Sequence, residues 1–280
     1  MWAGRCTIVC VALLDQRVAH WFETNRRDLP WRTADPWGVY VSEIMLQQTP
    51  VTRVLPAWQA WCTRWPTPTD LADDSLGEAI RMWGRLGYPR RAKRLHEAAV
   101  VMRDEFAGDV PDTEQELRRL PGVGEYTAAA VAAFAYGRDS TVVDINVRRF
   151  LIRVLTGADP APTYSAAERA IICALPIDIP RPLWAAASME FGALVCTARS
   201  PQCPQCPLAD LCDWVPSVSV RRTQTYEGTD RQARGAVLEV LRAGPVSDFK
   251  WHDAAQLQRA LDGLLADGLI VRDQQWSLPR

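Results

Sequence analysis

The sequence predicts an all-α protein, on three observations. Capping-box signatures, in which Ser, Thr or Asp is followed three residues later by Glu or Gln, recur at Ser75–Glu78, Asp112–Gln115, Ser165–Glu168 and Asp253–Gln256. Alanine-rich runs at Thr127–Ala135 and Ala185–Ala187 suit helices that pack closely. Between residues 15 and 195 nothing alternates apolar and polar residues for long; Thr141-Val142-Val143 is the best exception, and it is short.

The 280 residues suffice for one large or two modest domains around a substantial core. Lys and Arg number 32 and Asp and Glu 33, a formal charge of −1. No global positive field is available, so contact with nucleic acid has to use local basic patches. Cys6, Cys10, Cys62 and Cys173 are scattered and build no disulfide framework, which fits a reducing compartment.

The apolar run Thr7–Leu14 is too short to span a bilayer. No small-x-small cleavage site follows it, so it reads as the start of a helix in a cytosolic protein. Further on, Val41–Thr49 opens like a helix, with Ser42 as its cap and Glu43 in the first turn. An acid there offsets the helix dipole. Its neighbours Val41, Ile44 and Met45 predict instead partial burial and a raised pKa, the state in which a carboxylic acid can protonate a leaving group. The stretch Gly84–Arg94 sets a glycine-hinged aromatic, Tyr88, beside Arg85, Arg90, Arg91, Lys93 and Arg94. It is a solvated basic helix face, or a loop that grips a nucleic-acid backbone and pushes a side chain into the base stack.

Leu120-Pro121-Gly122-Val123-Gly124 lies between expected helices at Glu114–Leu120 and Glu125–Ala135. Its glycines allow a tight reversal with uncovered backbone N–H groups, a cradle for a phosphate oxygen as in a helix-hairpin-helix. A plain interhelical turn has the same composition. Asp144, in Val142–Arg149, is placed to cap the helix that includes Arg148–Leu155, and a capping carboxylate can also aim an oxygen into a cleft.

Cys196, Cys203, Cys206 and Cys212 form C-x6-C-x2-C-x5-C, far tighter than scattered core thiols. Four thiolates at short, unequal gaps can wrap one metal centre. The compact loop, with Pro204 and Pro207 around its one knuckle, favours a 4Fe–4S cluster over zinc, and a disulfide pair comes last. After Trp214 the composition turns polar, a linker over 215–230. Helices follow at Arg231–Arg242 and Ala254–Asp267, the second with Leu257, Leu261, Leu264 and Leu265 inward and Gly268 at its end. A hairpin of 269–271 with 275–278 completes a winged-helix-like module, or a small helical cap with a strand-like tail.

Together these pieces resemble the helix-hairpin-helix DNA glycosylases with an iron–sulfur loop, and within them the adenine-specific mismatch glycosylases, the MutY family. The resemblance covers about residues 15–214. It rests on Trp31-Arg32, S-E-x-M-L-Q-Q-T at 42–49, L-G-Y at 86–88, L-P-G-V-G at 120–124, D-x-N at 144–146 and the cysteine loop. It implies a two-lobed fold over 1–214, with a small module at 231–280. Glu43 would protonate adenine at N7, and Asp144 would stabilise or transiently capture the oxocarbenium-like sugar. Gln48 and Tyr88 would wedge the duplex vacated by the flipped base. Gly122 and Gly124 would hold the phosphate hairpin, and Arg32 joins the DNA-binding residues. Tyr126 lies where the related endonuclease III enzymes place a nucleophilic lysine. A tyrosine forms no Schiff base, so the enzyme would be monofunctional, with Tyr126 and Asn146 positioning Asp144 or its water. The four cysteines would hold a 4Fe–4S cluster, shaping a basic loop near Arg199. The implied partner is double-stranded DNA with a mismatched or oxidised base pair, met by a monomer in the cytoplasm at the nucleoid.

Four departures stand out. Ile145 replaces the glycine of the family's frequent D-G-N, so the backbone there must avoid positive φ or bear strain. Pro89 replaces a second aromatic after Tyr88, and Trp184–Ala187 lacks the amide or acid that often helps read adenine. Residues 217–280 are too short and helical for the family's usual Nudix-like module, which recognises 8-oxoguanine. Two rival readings remain: a thymine glycosylase acting on G·T mismatches, and a non-catalytic iron–sulfur DNA-binding protein.

Overall fold

The computed structural model describes residues 13–216 and 225–280. Of the expected helix start at 7–14, residues 7–12 lie outside the described residues, as do 217–224 of the expected linker. In chain order the helices are α1 (Leu14–Asn25), α2 (Pro36–Leu46), α3 (Val51–Arg64), α4 (Pro68–Asp73), α5 (Leu76–Trp83), α6 (Arg90–Glu105) and α7 (Glu114–Leu117). There follow α8 (Glu125–Tyr136), α9 (Ile145–Thr156), α10 (Ala166–Cys173), α11 (Arg181–Leu194), α12 (Asp230–Ala243) and α13 (Ala254–Ala266). The strands among the described residues are β1 (Val271–Arg272) and β2 (Trp276–Ser277), antiparallel with Val271 opposite Ser277. Thr141-Val142-Val143 forms no strand and leads directly into α9.

The local signals for helix starts hold closely. Ser75 caps α5, Asp253 caps α13, and Ser165 with Glu168 closes a full capping box on α10. The box expected at Asp112–Gln115 sits one residue on, where the Thr113 hydroxyl accepts from the Glu116 N–H. At α2 the expectation fails. That helix begins at Pro36, where Asp35 Oδ1 accepts from the Gly38 N–H at 2.7 Å and proline takes the first position. Ser42 is therefore interior, donating its hydroxyl to the Val39 carbonyl at 2.7 Å, and Glu43 falls in the last turn. In the tail Leu261 and Leu264 are buried as expected. Leu265 points outward, because the buried face runs through Gln256, Ala260, Leu261 and Leu264.

The chain divides into two compact units, Met1–Thr33 with Glu125–Ser219 and Ala34–Gly124 with Val220–Arg280. The first packs Leu14, Val18 and Phe22 of α1 against Phe150 and Leu151 of α9 and Trp184 and Phe191 of α11. Its second cluster uses small side chains, Ala129, Ala130 and Ala133 of α8 against Ala185 of α11, so these helices approach closely. The second unit is built on Trp61, which meets Trp65 and Trp83 edge-on at 4.7 and 5.7 Å between ring centroids.

The tail groups with this second unit. Electrostatics and hydrogen bonds tie it there. Asp267 pairs with both Arg90 and Arg234, Lys93 Nζ donates to the Asp267 carbonyl at 2.9 Å, and Arg85 pairs with Glu239 at 2.7 Å. The tail's own shape is winged-helix-like: two helices, a hairpin, and a bridge from Val246 to Trp276.

Gly77 in α5 faces the Pro279 carbonyl so closely that a Cβ there would collide with backbone. In an open helix Gly→Ala stabilises by up to about 1 kcal/mol. Here overpacking reverses the sign: Gly77→Ala is expected to lose about 1–3 kcal/mol in urea unfolding. A gain in stability would contradict this packing of residues 277–280.

Candidate active site

Asp144 ends an extended approach and caps α9. Its Oδ1 accepts from the N–H groups of Asn146 (2.8 Å) and Val147 (2.7 Å), and its Oδ2 accepts from Asn146 Nδ2 at 2.6 Å. Burial raises the carboxyl above the ordinary aspartate range. The Val147 N–H, the Asn146 side chain and N–H, and the Arg149 cation resist that shift without cancelling it. Ile145, just beyond, is 70% exposed and has no positive φ, so the chain's departure from D-G-N carries no backbone strain.

The contacts continue from Asn146. Its Oδ1 accepts from Arg149 Nη2 at 3.0 Å, and the same guanidinium donates to the carbonyls of Gly192 (2.6 Å) and Cys196 (2.8 Å). A Cβ on Gly192 would stand 2.6 Å from the Asn146 carbonyl oxygen, so only glycine lets α11 pass this close to the first turn of α9. Sequence reasoning missed both Arg149 and Gly192. The glycine inside an otherwise helical Ala-rich run was the available signal.

The cysteine loop packs on the core of the same unit through Cys196, Cys206 and Cys212. Burial pushes all three thiols up, Cys206 to about 11, and neighbouring cysteines push each further. Arg153 Nη1 lies 3.6 Å from Cys196 Sγ, and the N–H groups of Leu208 and Trp214 reach Cys206 and Cys212. Donors of this kind stabilise thiolates.

Arg32, expected at the DNA, is held internally instead. Its Nη2 pairs with Glu190 at 3.2 Å and its guanidinium lies 5.0 Å from the Phe22 ring centroid. Glu190 is also gripped twice by Arg27, at 2.9 and 2.8 Å. Burial pushes the Glu190 carboxyl up, but Arg27 and Arg32 outweigh it and hold it below the usual range. Arg32 thus helps Arg27 neutralise a buried acid. Tyr126, in the first turn of α8, donates its hydroxyl to Met189 Sδ at 3.9 Å.

The second unit carries the other expected residues. Glu43 is 6% exposed in the last turn of α2. Gln48 and Tyr88 are exposed and share an unusual backbone: φ is +55° and +48°, in a chain with only Ala107 as a further non-glycine case among the described residues. Left-handed geometry at such residues costs of order 1–3 kcal/mol each and persists only where the surroundings enforce it. Gly122 (φ +82°) and Gly124 are exposed in the expected hairpin, and Arg94 packs across Gly122. The basic run 90–94 is divided, with Arg90 and Arg94 exposed and the other cations drawn into the fold. Arg91 is buried against backbone carbonyls, while Arg90 and Lys93 serve Asp267.

The HhH-GPD superfamily of base excision DNA repair proteins matches residues 41–174, and the iron–sulfur binding domain of endonuclease III matches 196–212. The latter begins and ends on the outer two cysteines, and the chain is a 4Fe–4S protein. It is 51% identical over 264 residues to the adenine DNA glycosylase of Mycolicibacterium smegmatis, across 89% of this chain and 90% of that protein. In fold it is similar to a thermostable thymine-DNA glycosylase, with a TM-score of 0.65 and 26% identity over 74% of this chain and 96% of that one. It is also similar to endonuclease III in a non-covalent DNA complex, with a TM-score of 0.60 and 27% identity over 71% and 91%.

Two outcomes follow from this geometry. The folded state holds Asp144's proton more firmly than the unfolded chain, so stability falls as pH rises from the ordinary aspartate range through the raised folded value. Asparagine never ionises, so the melting temperature of Asp144→Asn relative to wild type should climb as pH rises above about 4. A flat or falling difference would contradict the burial. Replacing Cys206 with Ser should remove the cluster's visible absorption, and an unchanged spectrum would overturn the ligand set.

Proposed function

The chain belongs to the adenine DNA glycosylase family, and on that premise we propose that it hydrolyses the N-glycosidic bond of adenine mispaired with guanine or 8-oxoguanine in double-stranded DNA. The observation that carries this reading is the desolvated, doubly anchored carboxylate of Asp144.

When adenine leaves, positive charge develops at C1′ of the sugar. A carboxylate already fixed in place and shielded from water meets that charge without reorganising. The α9 amides take both acceptor sites of Oδ1 and the Asn146 side chain one site of Oδ2, which leaves a lone pair on Oδ2 for the sugar or a water. The departing base needs a proton, and Glu43 supplies it. A carboxyl group placed at the leaving base is what that proton transfer requires, and Glu43 is buried at 6% exposure. Tyr126 offers no amine, so the sugar is released to water and no Schiff base leads on to strand cleavage. Gln48 and Tyr88 enter the base stack, which the strained, outward turns at both positions support. Cys196, Cys203, Cys206 and Cys212 would hold the cluster, which supplies a rigid crosslink for the loop over 196–212.

The fold likeness to a thymine-DNA glycosylase at 26% identity favours a second reading, thymine removal from G·T pairs. Duplexes carrying A·8-oxoG, A·G and T·G, treated with alkali after incubation, separate the two. Cleavage at adenine in the first two is expected. Cleavage at T·G alone would move the chain to the second reading, and cleavage at none would leave a binding protein. Asp144→Asn should lower single-turnover excision about 10³-fold with mismatch binding retained. Glu43→Gln should lower it about 10²–10⁴-fold.

A further inference from the structure

Arg91 is second in α6 and 6% exposed, yet its guanidinium pairs with no acid among the described residues. Nη1 donates to the carbonyls of Ile44 (3.1 Å), Met45 (2.8 Å) and Gln47 (2.6 Å). Nη2 donates to Thr49 Oγ1 (2.9 Å) and the Gly87 carbonyl (3.1 Å). The plane lies 5.1 Å from the Trp83 ring centroid and 5.5 Å from that of Tyr88, while Trp83 Nε1 donates to the same Gly87 carbonyl at 2.9 Å.

These partners fall in three places. Ile44 and Met45 are in the last turn of α2, one residue and two residues beyond Glu43. Gln47 and Thr49 bracket Gln48, and Gly87 precedes Tyr88. Both flanked residues hold left-handed φ, a state that needs enforcing from outside. One buried cation therefore ties both exposed wedges to the end of the helix that carries Glu43. Burial pulls the guanidinium down to about 10, which leaves it charged at neutral pH.

We propose that Arg91 is the positioning residue for base extrusion: its fork holds the Gln48 and Tyr88 turns in the conformation that enters the duplex. The inference rests on reading those two residues as wedges. Lysine keeps the charge but has three donors, no planar fork and no stacking face, so it cannot serve both turns.

The test follows 2-aminopurine, placed at the target position of a mismatched duplex, whose fluorescence rises on unstacking. Arg91→Lys should slow both that rise and adenine excision about tenfold or more. Affinity for a matched duplex and the cluster's visible absorption should stay as in wild type, which a general loss of fold would not allow. Thr49→Val removes one acceptor with the backbone intact and should give a smaller loss of the same kind. With Gln48→Ala and Tyr88→Ala both present, adding Arg91→Lys should cost little more, since it acts through those side chains. Wild-type extrusion in Arg91→Lys, or a fully additive loss in the triple variant, overturns the inference. A wild-type chain that excises adenine with no fluorescence rise sinks the wedge reading and this inference with it. A wild-type chain that excises no adenine sinks the proposed function.

Discussion

A guanidinium taken out of water keeps its charge, and each of its donors then needs an acceptor. This chain meets much of that demand with backbone carbonyls, although the Nε atoms of Arg91 and Arg32 are buried without a partner among the described residues. Arg149 reaches Gly192 and Cys196, Arg153 reaches Thr197 at 2.9 Å, and Arg148 reaches Ala161 and Thr163 at 2.6 and 2.9 Å. Arg91 does the same for the turns around Gln48 and Tyr88. Segments that would otherwise move are fixed by planar forks anchored on helices. They are also the segments that carry or adjoin the residues of the proposed site.

The consequence for chemistry is plainest at α9. Asp144 serves local structure as a helix cap, and that service aims its partly buried carboxylate. Burial that costs the folded state stability at neutral pH is what a carboxylate needs to act on a developing cation. A residue in such a position is more informative than an acid on a solvated face. The Asn146–Arg149–Cys196 contacts show further that the cysteine loop and the capping turn share one set of hydrogen bonds.

Much of this was legible in the sequence, where the physics is local. Caps depend on residues three apart, so Ser75, Ser165 and Asp253 could be read directly. The cysteine spacing was equally self-contained. Ser42 misled because a good cap residue also occurs inside helices, bonded back to the preceding turn, and the stronger Asp35-Pro36 signal went unused. The basic run at 90–94 showed charge without showing acceptors. Asp267 lies far along the chain, and backbone carbonyls carry no sequence signature at all. The Arg32–Glu190 pair was hidden for the same reason, since Glu190 is distant and unremarkable in sequence. The close approaches at Gly77 and Gly192 depend on packing that no single segment specifies.

The account turns on Asp144 meeting positive charge in the sugar. Its most direct test is the affinity for a mismatch duplex whose target nucleoside is a cationic pyrrolidine, compared with a neutral tetrahydrofuran at the same place. Wild type should prefer the cation strongly, and Asp144→Asn should lose that preference while binding the neutral duplex as before. Equal discrimination by both proteins would contradict the account.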